Sequence, residues 1–470
     1  MKNILLIPVL CLFITCPVLG QYYLNQNKVW AFGDSAGVNF ASGAPTAIKT
    51  SINTFEGCAS VSDTSGSLLF YTDGKTVYDR NGTVMPSSSS IVSFTTSSTM
   101  QASVITPVIG TKNKYYIFSK ENLESTSTSK CHLTYSVVDM NMAGGFGDVV
   151  TTSMGIPLGD SLGEGMTAIP GNKNNIWLVT HKKDTSLFLA YEISSKGIAQ
   201  PVISAAGNFL GSGCYQIGMI KASPDRRRLV LPAYVNHGLE IYDFDPNSGK
   251  ISNCKLLNTN GGQISAEFSP DNTRLYVITN VDGISKKITQ YNITLSDPSA
   301  INSSGIAIMT TLNFNGYDLR LAPDGKIYLM GATNSSLDCI AKPNLLGTSC
   351  NYIANAVTLL AGTFAKGGLP NLYVTTDSVN KTNINQTTTS HSITLYPNPA
   401  YSECTISYSS TLYNKASIAI YDITGRLLLT QPLTGTNTTI SIASLPPGIY
   451  HCRIDADGSG IVTKKLVVMR

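Results

Sequence analysis

Ser269-Pro270-Asp271-Asn272-Thr273, followed by Arg274-Leu275-Tyr276-Val277, is the stretch whose reading decides the fold. Pro and Asp stand where a type I turn wants them, and the run after the turn has the length and β-favouring side chains of a strand. A further strand-like run follows at Ile288-Thr289-Gln290-Tyr291. The same unit recurs on both sides. Ser223-Pro224-Asp225 leads to Arg228-Leu229-Val230-Leu231 and then Leu239-Glu240-Ile241-Tyr242-Asp243, while Ala322-Pro323-Asp324-Gly325 leads to Lys326-Ile327-Tyr328-Leu329-Met330.

Looser copies precede these. Ala59 to Asp63 comes before Leu68-Leu69-Phe70-Tyr71, Ala102 to Pro107 before Tyr115-Tyr116-Ile117-Phe118, and Thr167 to Gly171 before Ile176-Trp177-Leu178-Val179. A seventh start is read at Gly368-Leu369-Pro370-Asn371-Leu372-Tyr373. Turn positions 63, 107, 170, 224, 270, 323 and 370 are 44 to 63 residues apart, the length of a four-stranded propeller blade. The expected fold is all-β, a seven-bladed β-propeller over 21–374. Six blades is the alternative, because the interval from 107 to 170 holds Gly144-Gly145-Phe146-Gly147 and reads as an insertion. Val29-Trp30-Ala31-Phe32 and the residues to Phe40 are expected to complete the blade opened by Gly368, which would protect both edges.

Composition agrees with strands. Only 13% of the 470 residues are charged, and 23 Tyr stand against 2 Trp. Met1-Lys2-Asn3, the apolar run to Leu19 and the small Gly20 describe a signal peptide, 1–20, cut between Gly20 and Gln21. Cys16 raises a lipoprotein signal, but Phe13-Ile14-Thr15 fits a lipobox poorly. Losing Lys2 lowers the net charge from +4 to +3, and the one dense basic cluster, Arg226-Arg227-Arg228, sits beside a turn, so no nucleic-acid partner is expected. Cys58, Cys131, Cys214, Cys254, Cys339, Cys350, Cys404 and Cys452 remain in the mature chain. Export permits disulfides among them, while buried thiols are the plain alternative. None forms a CxxC pair, so no metal is expected, and no cofactor motif is present.

From Thr375 to His391 the chain is Thr, Ser and Asn with few apolar anchors, the composition of a flexible linker. Short strands then crowd 392–470, which suggests a small immunoglobulin-like sandwich. Cys404 and Cys452 both fall on strands, and a bridge between them is one expectation. The motifs are Tyr396-Pro397-Asn398-Pro399-Ala400, Tyr421-Asp422-Ile423-Thr424-Gly425-Arg426, Ser444 to Ile454 with Gly448 and Tyr450, and the ending Lys464-Lys465-Leu466-Val467-Val468-Met469-Arg470. In this order they resemble the type A C-terminal sorting domain of type IX secretion cargo in Bacteroidetes. The resemblance implies recognition by the type IX secretion machinery, passage through periplasm and outer membrane, and removal of the domain. The cargo is then released or attached to surface lipopolysaccharide.

The first half is similar to propellers of gliding-motility-associated surface proteins. Trp30-Ala31-Phe32-Gly33, Glu56 to Asp63, Leu69 to Gly74 and the late Gly-Leu-Pro-Asn carry that likeness, and the Ser-rich stretch after Met85 departs from it.

Catalytic signals are weak. Gly33-Asp34-Ser35 and Gly159-Asp160-Ser161-Leu162 imitate an esterase nucleophile block, but none of His132, His181, His237, His391 and His451 has Asp three places earlier, so no catalytic residue is assigned. Asp243, Asp245 and Asn247 resemble the opening of a calcium loop, yet Gly249 comes one place late and Cys254 stands where a carboxylate belongs. Glu56, Asp63 and Asp73 read as polysaccharide-cleaving carboxylates or, more simply, as turn caps. Asp34-Ser35-Ala36, Asp160-Ser161-Leu162 and Asp377-Ser378-Val379 resemble O-glycosylation sites of exported Bacteroidetes proteins. The expected function is therefore a monomeric, non-enzymatic exported module that binds a glycan or protein ligand. The alternative is a polysaccharide lyase or hydrolase in the channel. Convergent Glu, Asp, His or Arg at the channel mouth would favour the enzyme, and Tyr, Asn and Ser the binder.

Overall fold

The computed structural model describes residues 21–123, 130–207, 218–232, 238–257, 261–281, 286–311, 318–330, 334–376, 393–408, 416–422, 427–433, 436–456 and 460–469. The chain divides into two compact units, Met1–Val379 and Asn380–Arg470.

Among the described residues, the first unit holds seven antiparallel sheets of three to five strands, in chain order. Their first strands are Val29–Phe32, Ala59–Ser62, Ser103–Pro107, Leu162–Pro170, Lys221–Ala222, Gly262–Phe268 and Leu319–Leu321. Each of these strands touches the first strand of the next sheet. Between neighbouring sheets lies an apolar layer: Val61 and Phe70 with Ile105 and Ile117, Phe118 and Leu133 with Met166 and Leu178, Val179 and Phe188 with Leu229 and Tyr242. Val230 and Ile241 then meet Ala266 and Phe268, and Ile264 and Ile278 meet Leu319 and Leu329. The last sheet closes on the first, where Trp30 lies edge-on to Phe40 at 4.8 Å and to Tyr328 at 6.2 Å. An aromatic buried this way is worth about 3–5 kcal/mol against alanine. The first unit is thus a closed ring of small sheets.

The repeated Ser-Pro-Asp is a turn that caps itself, always between a sheet's first and second strands. Ser223 Oγ donates to Asp225 at 2.5 Å and accepts from Arg228 N at 3.0 Å, while Asp225 also accepts from Arg227 N at 3.1 Å. Ser269 and Asp271 repeat each contact. The short polar side chains replace backbone partners, so the motif recurs wherever the turn does.

Two expectations about the ring are corrected. Gly368–Tyr373 opens no sheet, because Val29–Phe32, Asp34–Asn39 and Thr46–Asn53 already form a complete first one. Its turn has no Pro-Asp: Gly33 at φ +61° and Ser35 at φ +56° make it, and a Cβ on Gly33 would lie 2.2 Å from Phe364 O. Thr375 and Thr376 are buried, and Thr375 N donates to Gln21 Oε1 at 3.0 Å, so the linker does not begin at 375. The long interval from 107 to 170 carries a five-stranded sheet, with Asp148–Val149 and Ile156–Gly159 both pairing with Leu133–Asp139.

In the second unit, Ile393–Tyr396, Glu403–Tyr408 and Asn437–Ser441 form one sheet, and Leu427–Pro432, Ala416–Tyr421, Gly448–Ala456 and Gly460–Val468 another. Cys404, Ile406 and Ile440 of the first share a core with Ile418, Ile420, Cys452 and Leu466 of the second. Cys404 and Cys452 are free buried thiols, so the expected bridge is not made. They sit on facing strands of the two sheets, Glu403–Tyr408 and Gly448–Ala456, inside the shared core. Burial pushes both thiols up, to about 11 and about 12.

Candidate functional site

The centre of the ring is polar, and the chain's own tail occupies it. Lys221, Glu267 and Arg320 stand on the first strands of sheets five, six and seven, each three residues before the Pro of its turn. That shared register brings them together. Asp318 is fully buried and joins them: its Oδ1 accepts from Lys221 Nζ at 2.7 Å and Ser265 Oγ at 3.1 Å, and its Oδ2 accepts from Arg320 at 3.0 Å. The two cations hold its carboxyl below the usual carboxylate range against the cost of burial. Burial raises Glu267, partly offset by Lys221 at 3.6 Å.

The tail seals this cluster. Asn371 donates to Ser103 O at 2.8 Å, accepts from Gln101 at 3.0 Å and Arg320 at 3.2 Å, and its backbone N donates to Cys58 O at 2.9 Å. Leu369 N donates to Asp318 at 3.3 Å. Gln101 Oε1 accepts from Met166 N and Ile220 N, both at 2.8 Å. One asparagine and one glutamine therefore tie the tail to five of the seven sheets or their leading segments. Farther along, Tyr373 is held by Asn27 and Thr375 by Gln21. Gln21, the expected first mature residue, is built into the ring, while Gly20 lies outside the described residues.

Beside the cluster, a narrow cleft of about 70 Å³ opens at the end of the ring that carries the Ser-Pro-Asp turns. Its walls include Tyr22, Ile169, Leu321 and Val374, and its charged groups are Lys221, Arg226, Glu267 and Arg320.

A second buried cation lies elsewhere. Lys120 Nζ donates to Gly163 O at 2.9 Å, Gly165 O at 2.7 Å and Thr180 Oγ1 at 2.5 Å, and burial lowers its pKa to about 8.

The weak catalytic signals stay apart. Ser35 and Ser161 donate to the aspartates beside them, at 3.4 and 3.1 Å. His132 pairs with Glu121 at 2.7 Å on the surface and His181 lies edge-on to Phe188 at 4.5 Å, so these two do not converge. His237, His391, Asp377 and Ser378 lie outside the described residues. Asp63 and Asp73 cap their turns by accepting from Ser65, Ser67, Lys75 and Thr76 backbone N–H groups. Asp245 caps its hairpin through Asn247 and Ser248. Among the described residues no cluster of three or more His, Cys, Asp or Glu could hold a metal ion.

In the second unit the first and last sorting motifs are one structure. Asn398 donates to Lys465 O at 2.6 Å and accepts from Val467 N at 2.9 Å, Ala400 N donates to Val467 O at 2.8 Å, and Met469 N donates to Ala400 O at 2.8 Å. Gly448 pairs in register with Val468, Tyr450 with Leu466 and Cys452 with Lys464. Tyr450 donates to Pro446 O at 2.6 Å. Tyr396, Pro397 and Pro399 are exposed, and Gly425 lies outside the described residues.

No curated protein matches the sequence. Among solved structures, the periplasmic gluconolactonase PpgL of Pseudomonas aeruginosa is 12% identical, with 80% of this chain and 97% of that one covered, at a TM-score of 0.40. Kuenenia stuttgartiensis hydrazine synthase is 13% identical over 66% and 85%, at 0.37. A functionally unknown protein from Desulfotomaculum acetoxidans is 13% identical over 73% and 97%, also at 0.37. Likenesses this distant carry nothing about this chain's chemistry. Residues 394–469, in contrast, match the secretion system C-terminal sorting domain, and the chain is accordingly exported by type IX secretion to the cell surface or the extracellular space.

Proposed function

We propose that the exported ring is a seven-bladed β-propeller that binds a glycan or protein ligand and catalyses no reaction. The trailing unit, read as an immunoglobulin-like sandwich, addresses it to the secretion machinery, after which the ring is released or held on surface lipopolysaccharide. The observation that carries this reading is that the axial charges are spent on one another. Asp318 is committed to Lys221, Arg320, Ser265 and Leu369, so it has little capacity left to act on a substrate. A propeller whose centre is filled by its own tail offers its ends, where loops between strands present a ligand surface.

The convergence of Glu267, Arg226 and Arg320 on the cleft is the pattern expected of the enzyme. Glu267 lines the cleft with its carboxyl raised by burial, as a general acid for polysaccharide cleavage requires. The secreted protein and its Glu267→Gln variant separate the two readings on a panel of glycans and surface proteins. Binding that survives the substitution, with no sugar released, is expected. Release of reducing or unsaturated sugar that disappears in Glu267→Gln would replace the binder with the lyase or hydrolase.

A further inference from the structure

The second unit has an apolar surface that its fold does not use. Among its described residues, four large hydrophobic side chains are exposed: Tyr396 at 49%, Tyr401 at 60%, Ile449 at 41% and Met469 at 42%. Tyr401, Ile449 and Met469 belong to three separate stretches of chain that hydrogen bonding brings to one corner, whereas Tyr396 pairs with Thr405 on the other sheet. Ala400, beside Tyr401, forms a parallel bridge with Val468, beside Met469. Ile449 stands opposite Val467 on the neighbouring strand. Asn398, three residues before Tyr401, holds that same strand at Lys465 and Val467. The corner is thus made of the last strand, the start of Gly448–Ala456 and the loop that carries Tyr401.

An exposed tyrosine clustered with aliphatic side chains is what protein interfaces use as an anchor, because it buries large area for few rotatable bonds. Folding stability gives no reason for leaving these side chains in water: the core beneath is already closed by Cys404, Ile406, Tyr450, Leu466 and Val468. The match to a secretion sorting domain, residues 394–469, spans this corner and supplies the occupant. We propose that Tyr401, Ile449 and Met469 form the docking surface gripped by a protein of the secretion machinery, through an apolar groove on that protein. Lys465 is exposed on the same strand, which suits a groove with an acidic edge. This rests on the sorting-domain reading and adds to it the surface that is read. Asn398 is a positioning residue here: it fixes the loop that carries Tyr401 to the last strand.

The test follows export of the full chain from a type IX-competent host, by quantifying protein in medium, surface and periplasm. Two double variants strip the corner, Tyr401→Ser with Ile449→Thr and Tyr401→Ser with Met469→Gln. Ile203→Ser, an exposed apolar residue of the ring (62%), is the control. Each double variant is expected to lower export about tenfold or more and to accumulate in the periplasm with unchanged melting and protease resistance, while the control exports normally. A chain lacking 392–470 reports on the underlying reading. If the deletion stops export and both double variants export like the parent, the sorting domain stands and the corner is overturned. If the deletion itself is exported, the sorting reading and the corner fall together.

Discussion

The ring and the trailing sandwich solve stability in opposite ways. The ring places Lys221, Glu267, Asp318 and Arg320 at its centre and lets the tail complete their hydrogen bonds. The sandwich rests on a core of aliphatic side chains, one tyrosine and two thiols, with its unused apolar surface outside. Buried charges resist replacement one at a time, because removing one partner leaves another uncompensated in a medium of low dielectric constant. An apolar core tolerates change by small steps. The ring is therefore all-or-none, and the sandwich is a graded structure with a specialised surface.

The largest break in this contrast comes from Asp318→Asn. It leaves Lys221 and Arg320 without their shared carboxylate and is expected to cost about 3–5 kcal/mol in urea unfolding of the ring. Asn371→Ala attacks the same centre from the tail. It orphans Ser103 O and one donor each from Gln101 and Arg320, for about 2–3 kcal/mol, and hydrogen exchange is expected to rise in several sheets at once. A smaller effect comes from Lys120. With a folded pKa near 8 and an unfolded one near 10.4, the unfolded chain holds a proton between these values that the folded chain has lost. Lys120 therefore adds stability as pH rises through that window. Buried thiols with raised pKa, such as Cys131 at about 12, push the other way, so the check is the difference between the parent and Lys120→Met. The parent's stability is expected to change more positively with pH from 8 to 10 than the variant's. The smallest effect sharpens the sandwich side. A reductant is expected to change the sandwich's stability by under about 0.5 kcal/mol, against about 4 kcal/mol for a bridge closing the loop from Cys404 to Cys452.

Much of this contrast was written in the sequence. The Ser-Pro-Asp turns and their spacing located six of the ring's first-to-second-strand turns because that turn is capped by its own side chains, a local property. The first sheet's turn, Gly33-Asp34-Ser35, carries no such signal, and the close neighbour of Gly33, Phe364 O, is more than three hundred residues away. The axial cluster was legible and went unread: Lys221, Glu267 and Arg320 each stand three places before the Pro of their repeat, a regularity that stands out in a chain with 13% charged residues. Asp318 and Asn371 carried no such regularity. Their importance arises only when the ring closes. The sorting motifs were read correctly as a set, but that Asn398 fastens the first to the last is a fact of folding.

Asn371 also bears on how the molecule comes into being. The segment that fastens the ring is among the last of it to be synthesised, and it lies only a few residues ahead of the stretch leading to the export tag. A cut that spares the clasp must fall beyond Thr376. A blade that cut sooner would discard the clasp along with the label.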